Sequence, residues 1–188
     1  MSGRERLLEA AAGLFGSRAY ALVGVAEILA RAGVQAPTLY HHFEDKEGLY
    51  VAWVEAAFAQ VAPGFHTEAG EDVSSGLARY AQALIANVPF EVAQVLRDSA
   101  LMARDDSRER IYDAYLQALF EPLCGILVRG MQRGSLLTEP VTRLAEVFLA
   151  GAAALRAGSP RGPETAEDLA KWWAARFLSG FSVARHDA

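Results

Sequence analysis

The stretch from Ala32 to Tyr50, AGVQAPTLYHHFEDKEGLY, constrains the fold more than any other part of the sequence. Just ahead of it, Val25, Ile28, Leu29 and Ala32 recur at helical spacing and stop at Gly33. Glycine is the residue best able to adopt the left-handed conformation found just past a helix end. Pro37 then stands where a first helical residue belongs, because its missing N–H costs nothing there. From Pro37 to Phe43 the pattern puts Leu39 and Phe43 on one inward face and leaves Thr38, Tyr40 and His41 outward. Two short helices joined by a tight, glycine-containing turn form a helix-turn-helix, whose second helix suits a DNA major groove.

The rest of the chain carries helical periodicity and no pattern of period two. Arg4 to Gly16 brings Leu7, Leu8, Ala11, Leu14 and Phe15 to one side, and a connector runs to Gly24. The next helix, Val25 to Arg31, starts after Val23-Gly24, a pair with no side-chain oxygen to cap it. Asp45 can cap a long helix from Lys46 to about Phe65. Further helices are expected over Val73–Asn87, Phe90–Arg104, Arg108–Gly134, Pro140–Ala157 and Thr165–Phe181. Asp105-Asp106-Ser107 reads as a break and cap, Pro122 as a kink, and Pro140–Ala157, apolar on several sides, as a buried helix. The expected fold is all-α with about nine helices. A helix-turn-helix head of three helices spans residues 1–46, and a larger helical body spans 47–188.

Composition narrows the function. Half-apolar content (52% hydrophobic, 22% charged) fits an ordered helical protein rather than a disordered one. The charged start MSGRERLLE leads into an amphipathic helix, and the apolar run Leu144–Leu155 is too short to span a bilayer, so the expectation is a cytoplasmic protein without a membrane partner. The single Cys124 excludes an internal disulfide and, among Leu123, Ile126 and Leu127, reads as an inert buried thiol. Net charge is −5, and in the head Arg4, Arg6, Arg18, Arg31 and Lys46 balance Glu5, Glu9, Glu27, Glu44 and Asp45. That balance weighs against indiscriminate binding of polyanions. Adjacent His41 and His42 diverge by about 100° on a helix, while His66 and His186 fall in a loop and a tail, so no metal site is expected. No glycine-rich phosphate loop and no carboxylate–histidine arrangement is present, so neither a catalytic residue nor a cofactor is expected.

Leu14-Phe15, Tyr20, Val25, Ile28, Ala32-Gly33-Val34, Thr38-Leu39-Tyr40, His42-Phe43, Lys46 and Leu49, at these spacings, resemble the head of the tetracycline-repressor (TetR-like) family of one-component bacterial regulators. The resemblance covers Arg6 to Tyr50. It implies a homodimeric repressor on a double-stranded, inverted-repeat DNA operator, released by a small-molecule effector. It also implies that Thr38, Tyr40, His42 and Lys46 meet phosphates while Gln35, Ala36, Pro37, Tyr40 and His41 face base edges. The residue chemistry permits both sets: hydroxyl, imidazole and ammonium donate to phosphate oxygens, Gln35 can pair with adenine, and Ala36 or Pro37 can touch a thymine methyl. The family usually has a glycine near Ala19, and a threonine and a serine at the positions of Val23 and Gly24, where a hydroxyl caps the helix and contacts phosphate. This chain lacks them.

In the body the resemblance rests on Gly130 and Gly134 followed by Leu149-Ala150-Gly151. It implies that the last two helices pair with those of a second subunit through Phe148, Gly151, Ala152, Leu155, Trp172, Trp173, Phe177 and Phe181. An effector cavity among the middle helices would draw on Phe58, Tyr80, Leu84, Leu96, Met102, Tyr115, Leu119 and Phe148. Arg97, a cation in a mostly apolar helix, could pair near Asp98, lie exposed, or neutralise an anionic ligand such as an acyl thioester of coenzyme A. Two other classes stay open: a helical protein-interaction module that has lost DNA binding, and an all-helical enzyme using Cys124 or a histidine.

Overall fold

The computed structural model describes residues 1–66, 70–158 and 164–182; His186 and most of the loop GSPRGPE lie outside them. The described chain is built from α1 (Gly3–Phe15), α2 (Val25–Ala32), α3 (Ala36–Phe43), α4 (Lys46–Val61), α5 (Val73–Asn87), α6 (Val92–Ser99), α7 (Asp105–Tyr115), α8 (Glu121–Gln132), α9 (Val141–Gly158) and α10 (Ala166–Phe181). Extended pairing among the described residues is a single antiparallel bridge, Leu136 with Ser182. The all-α expectation holds. Two compact units emerge, Met1–Gln60 with Pro89–Leu116 and Val61–Val88 with Gln117–Ala188, so that the chain crosses between them three times.

The first unit gathers α1 to α4 with α6 and α7. Ser2 and Glu5 open α1 with a reciprocal capping box, a serine three residues before a glutamate that the sequence displays plainly. Gly33 ends α2 at φ 62, in the left-handed region, as its position after the apolar pattern predicts. An aromatic series then ties helices together: Phe15 meets Tyr20 and Tyr50, Tyr50 meets Trp53, and Phe90 meets both Trp53 and Phe58, with ring centroids 4.9 to 6.1 Å apart. Pairs at such separations contribute roughly 0.5–1.5 kcal/mol each beyond buried area. Helix α6 is shorter than expected and stops at Ser99. Helix α7 starts at Asp105 rather than after Ser107, and the N–H groups of the two residues ahead of it, Ala103 and Arg104, donate to Glu47 of α4.

The second unit gathers α5 and α8 to α10. Asp72 caps α5 by accepting from the Ser74 and Ser75 N–H groups at 2.9 and 3.0 Å. Pro122 has no N–H for the carbonyl four residues back, and the expected irregularity takes the form of a π-helical turn over Leu116–Phe120 just ahead of it. Thr165 and Asp168 cap α10 reciprocally. Gly151 of α9 lets the Trp173 indole of α10 lie flat on the helix: a Cβ there would stand 2.2 Å from an indole carbon. Trp173 Nε1 also donates to the Phe148 carbonyl at 3.1 Å. Helix α9 is not buried all round as expected, since Val147 is 49% exposed and Ala150 and Ala154 lie on the same open face.

Candidate nucleic-acid interface

Helix α3 stands on a buried base. Leu39 is fully buried and Phe43 nearly so, while Pro37, Tyr40, His41 and His42 are exposed and Ala36 and Thr38 half-buried. Gln35 is the N-cap residue, in extended conformation, and its exposed amide makes no cap bond. The outer face therefore presents an amide, a phenol and two imidazoles with donor and acceptor atoms, which is the chemistry that reads base edges and phosphates. Two arginines of α1 brace this face. Arg6 donates to the Gly33 carbonyl at 3.2 Å, in the turn, and the Arg4 guanidinium lies 5.5 Å from the centroid of the Phe43 ring.

The corner between α3 and α4 is fixed by backbone geometry. Glu44 has φ 66 and ψ −51, and the Asp45 N–H donates to the Phe43 carbonyl at 2.7 Å, a γ-turn that L-residues seldom adopt. Asp45 accepts from the Gly48 N–H at 2.8 Å and so caps α4 as its position predicts. Gly48 is required by closeness: a Cβ there would stand 2.0 Å from the Phe43 carbonyl oxygen. The corner is then tied to α7. Arg104 donates to both Asp45 oxygens at 2.7 and 3.3 Å, and Glu47, 7% exposed, accepts from the N–H groups of Ala103 and Arg104 at 2.9 and 3.1 Å.

Lys46 points into this unit rather than simply outward. Its ammonium donates to the carbonyls of Tyr20 and Val23, each at 2.7 Å, and lies 4.0 Å from the centroid of the Tyr20 ring. Asp98 of α6, 2% exposed, accepts from the Tyr20 N–H at 2.9 Å, the Tyr50 hydroxyl at 3.1 Å and the Gln94 amide at 2.8 Å. Sequence reading singled out Arg97 and passed over Asp98. The structure reverses their weight: Arg97 is exposed and donates to Gln94, so it does not face an interior, while its neighbour is the buried group.

The remaining expected residues scatter. Phe58, Met102 and Tyr115 are buried in the first unit and Leu96 is half-buried there. Tyr80, Leu84, Leu119 and Phe148 are buried in the second, where the Tyr80 hydroxyl donates to the Leu119 carbonyl at 2.9 Å and the Tyr80 ring packs on those of Phe65 and Phe148. None of them lines the groove of about 260 Å³ on the first unit, whose walls include Leu8, Gly16, Trp53, Ala56, Gln60 and Phe90. Of the residues expected between subunits, Phe148, Ala152 and Phe177 are already buried within the single chain and cannot meet a partner. Gly151, Leu155, Trp173 and Phe181 are half-buried, and Trp172 is 51% exposed. Cys124 is half-buried, and burial together with the nearby Glu121 charge pushes its thiol pKa up, which removes the thiolate a nucleophile needs.

A helix-turn-helix with a buried back and a donor-rich outer face defines a DNA-binding transcriptional regulator. Residues 7–53 match a family model described as bacterial regulatory proteins, tetR family. Along the sequence the chain is similar to the HTH-type transcriptional repressor KstR2 of Rhodococcus jostii (strain RHA1), 27% identical with 95% of this chain and 91% of that protein covered. A shorter match, 49% identical over 49 residues and covering 26% of this chain and 22% of the relative, is to the HTH-type transcriptional activator FasR of Mycolicibacterium smegmatis. Among solved structures, the TetR family regulator PfmR of Thermus thermophilus shares the fold at a TM-score of 0.73 and 24% identity, covering 96% of this chain and all of that one. A tetR-family regulatory protein from Rhodococcus RHA1 reaches 0.77 at 15% identity, covering 98% and 99%. Residues 7–53 are thus a TetR-like DNA-binding head, and the chain as a whole shares the fold of TetR-family regulators.

Proposed function

We propose that the protein represses transcription by binding an inverted-repeat operator as a homodimer and leaves the DNA when a small-molecule effector binds. The observation that carries this reading is the outer face of α3, where Gln35, Pro37, Tyr40 and His41 stand exposed above buried Leu39 and Phe43. Gln35, Ala36, Pro37, Tyr40 and His41 are the proposed base-edge contacts; Thr38, Tyr40 and His42 are the proposed phosphate contacts. Repression rather than activation is supported by the named repressor, which aligns over nearly the whole chain, whereas the named activator aligns over 49 residues only. The working compartment is then the bacterial cytoplasm, where the operator is.

Dimerisation is supported by the open face that α9 and α10 keep in the single chain. Val147, Ala150 and Ala154 repeat along α9, and Trp172 and Ala175 along α10, apolar or small residues suited to close helix packing around a tryptophan anchor. Two heads on one operator must present their α3 helices about 34–36 Å apart, one DNA turn. An effector that favours the incompetent spacing by about 1–3 kcal/mol gives the usual range of release. Its seat is proposed in the second unit, whose interior holds Tyr80, Leu84, Leu119 and Phe148 and must open to admit it.

Selection of bound duplexes from a random pool, followed by gel shifts, tests the reading. One symmetric site should be enriched, and Tyr40→Ala and His41→Ala should each weaken it roughly tenfold or more, the worth of a base-edge or phosphate contact. Enrichment of no duplex would favour the interaction-module alternative. In sedimentation the wild type should be a dimer at micromolar concentration and Trp172→Asp a monomer; a monomeric wild type removes the interface. Small molecules extracted from the host should release the duplex, and no release by any fraction argues against an effector.

A further inference from the structure

The connector between α1 and α2 is held by groups that neither the helix pattern nor the DNA face uses. Helix α2 starts at Gly24 with no side-chain cap, and the residues before it, Tyr20–Leu22, form one 3-10 turn with no side-chain cap either. Such a turn has little holding power of its own. Yet the Tyr20 backbone is gripped on both sides. Its N–H donates to Asp98 and its carbonyl accepts from Lys46, which reaches on to the Val23 carbonyl next to the start of α2. Two of the three ammonium protons are thus directed at carbonyls 2.7 Å away, and the Tyr20 ring covers a further side at 4.0 Å. A phosphate contact would require the ammonium to abandon one of these partners.

We propose that Lys46 and Asp98 are positioning residues for DNA recognition: together they clamp the Tyr20–Val23 connector, set the start of α2 and so the attitude of α3, and Lys46 acts in this way rather than as a phosphate ligand. The clamp fixes the connector by its carbonyls, while the first N–H groups of α2 stay without the side-chain cap that a hydroxyl at Val23 or Gly24 would give. Opposite charges from α4 and α6 grip the Tyr20 backbone between them, and the Tyr50 hydroxyl and Gln94 amide donate to Asp98 as well. Burial lowers the Lys46 pKa while the Asp98 charge acts to raise it again, as a partly desolvated cation beside a buried carboxylate requires. From Gly24 the chain runs through α2 and the Gly33 turn straight into α3, so a shift at Val23 moves the reading helix.

The inference rests on the DNA-binding reading, and its two arms fail separately. The first arm needs no DNA. In the full-length protein, amide hydrogen exchange over Tyr20–Ile28 should quicken at least tenfold in Lys46→Met and in Asp98→Asn while α9 and α10 keep wild-type protection; unchanged exchange in both variants overturns the clamp. Should Lys46→Met fail to fold, Asp98→Asn carries this arm. The second arm uses the duplex enriched by the wild type, titrated with salt. A phosphate ligand contributes about 0.9 to the slope of log K against log salt. For a positioning residue the Lys46→Met line should lie roughly tenfold or more weaker and parallel to wild type. A slope reduced by about one per head, with exchange unchanged, makes Lys46 a phosphate ligand and overturns the proposal. Absence of any DNA binding by the wild type sinks the regulator reading and leaves the exchange result to stand by itself.

Discussion

Glu47 offers the sharpest test of how the reading helix is held. Its carboxylate accepts from two backbone N–H groups, those of Ala103 and Arg104, at a helix start that has no side-chain cap of its own. A hydrogen bond to a charged partner contributes about 1.5–3 kcal/mol. Glu47→Ala removes two of them, and water entering the gap recovers part of the loss, so the net cost should be about 3 kcal/mol. At about 2–4 °C per kcal/mol for a chain of this size, the melting temperature should fall by about 6–12 °C. Glu47→Gln keeps one carbonyl oxygen and should lose about half of that. The pH dependence adds a second reading. Burial pushes the Glu47 carboxyl up, but the Ala103 N–H, the Ser107 hydroxyl, the Arg104 N–H and the Arg104 charge outweigh it and hold the pKa below the ordinary 4.5. A group whose folded pKa is depressed stabilises above its unfolded value and loses that contribution as pH falls through the folded one. The gap between wild type and Glu47→Gln, followed by far-UV circular dichroism, should therefore be full at neutral pH and begin to close below about pH 4.5. A gap that stays constant on acidification, or a fall of less than about 2 °C for Glu47→Ala, would falsify the account.

Three further substitutions probe single contacts. Gly48→Ala drives a methyl against the Phe43 carbonyl oxygen, a backbone atom that cannot swing aside, and should cost about 2–3 kcal/mol in chemical denaturation while weakening DNA binding through the displaced α3. Glu44→Gly relieves the positive φ of the corner and should raise stability by about 1 kcal/mol; a loss would mean that the γ-turn is unstrained. Gly151→Ala meets the Trp173 indole at 2.2 to 2.8 Å, so the indole must leave α9 and the Phe148 carbonyl, visible as a shift in tryptophan emission and about 1–3 kcal/mol of lost stability.

What the sequence made legible was whatever depends on neighbours along the chain. Gly33 past α2, Pro37 at the start of α3, Leu39 and Phe43 beneath it, and Asp45 capping α4 are all decided within a few residues, and all stand as the pattern requires. Caps at Ser2 and Thr165 were equally local and could have been read from a hydroxyl followed three residues later by an acid. Helical spacing could also have picked out Asp98, since Val95 and Asp98 lie three apart on one stripe while Arg97 turns about 100° away from its neighbour. What stayed illegible depends on which distant element covers a side chain. Apolar α9 and α10 show many residues fit for burial, and only packing decides that Phe148, Ala152 and Phe177 are consumed within the chain while Val147 and Trp172 are left outside. The motif likewise says that a lysine stands at position 46 but not whether its ammonium faces DNA or two carbonyls.

The same distinction removes the tension posed by a head with no net charge. A formal count treats every ion as part of the outward field, yet in this head much of the acid is occupied locally. Glu5 closes the capping box on Ser2, Glu27 pairs with Arg18, and Asp45 pairs with Arg104, which lies outside residues 1–46 and so outside the count. Arg4 and Arg6, by contrast, sit beside the end of α3 and the turn before it. Arg4 and Arg6 therefore stand where the outer face of α3 begins and ends, and three of the five acids are answered by groups of their own. On this arrangement Arg4→Ala, which leaves every element capped, should weaken duplex binding in proportion to the salt slope it removes, while Glu27→Gln should leave affinity within about twofold. Equal and opposite effects from the two substitutions would mean that net charge, rather than where each charge is spent, governs recognition.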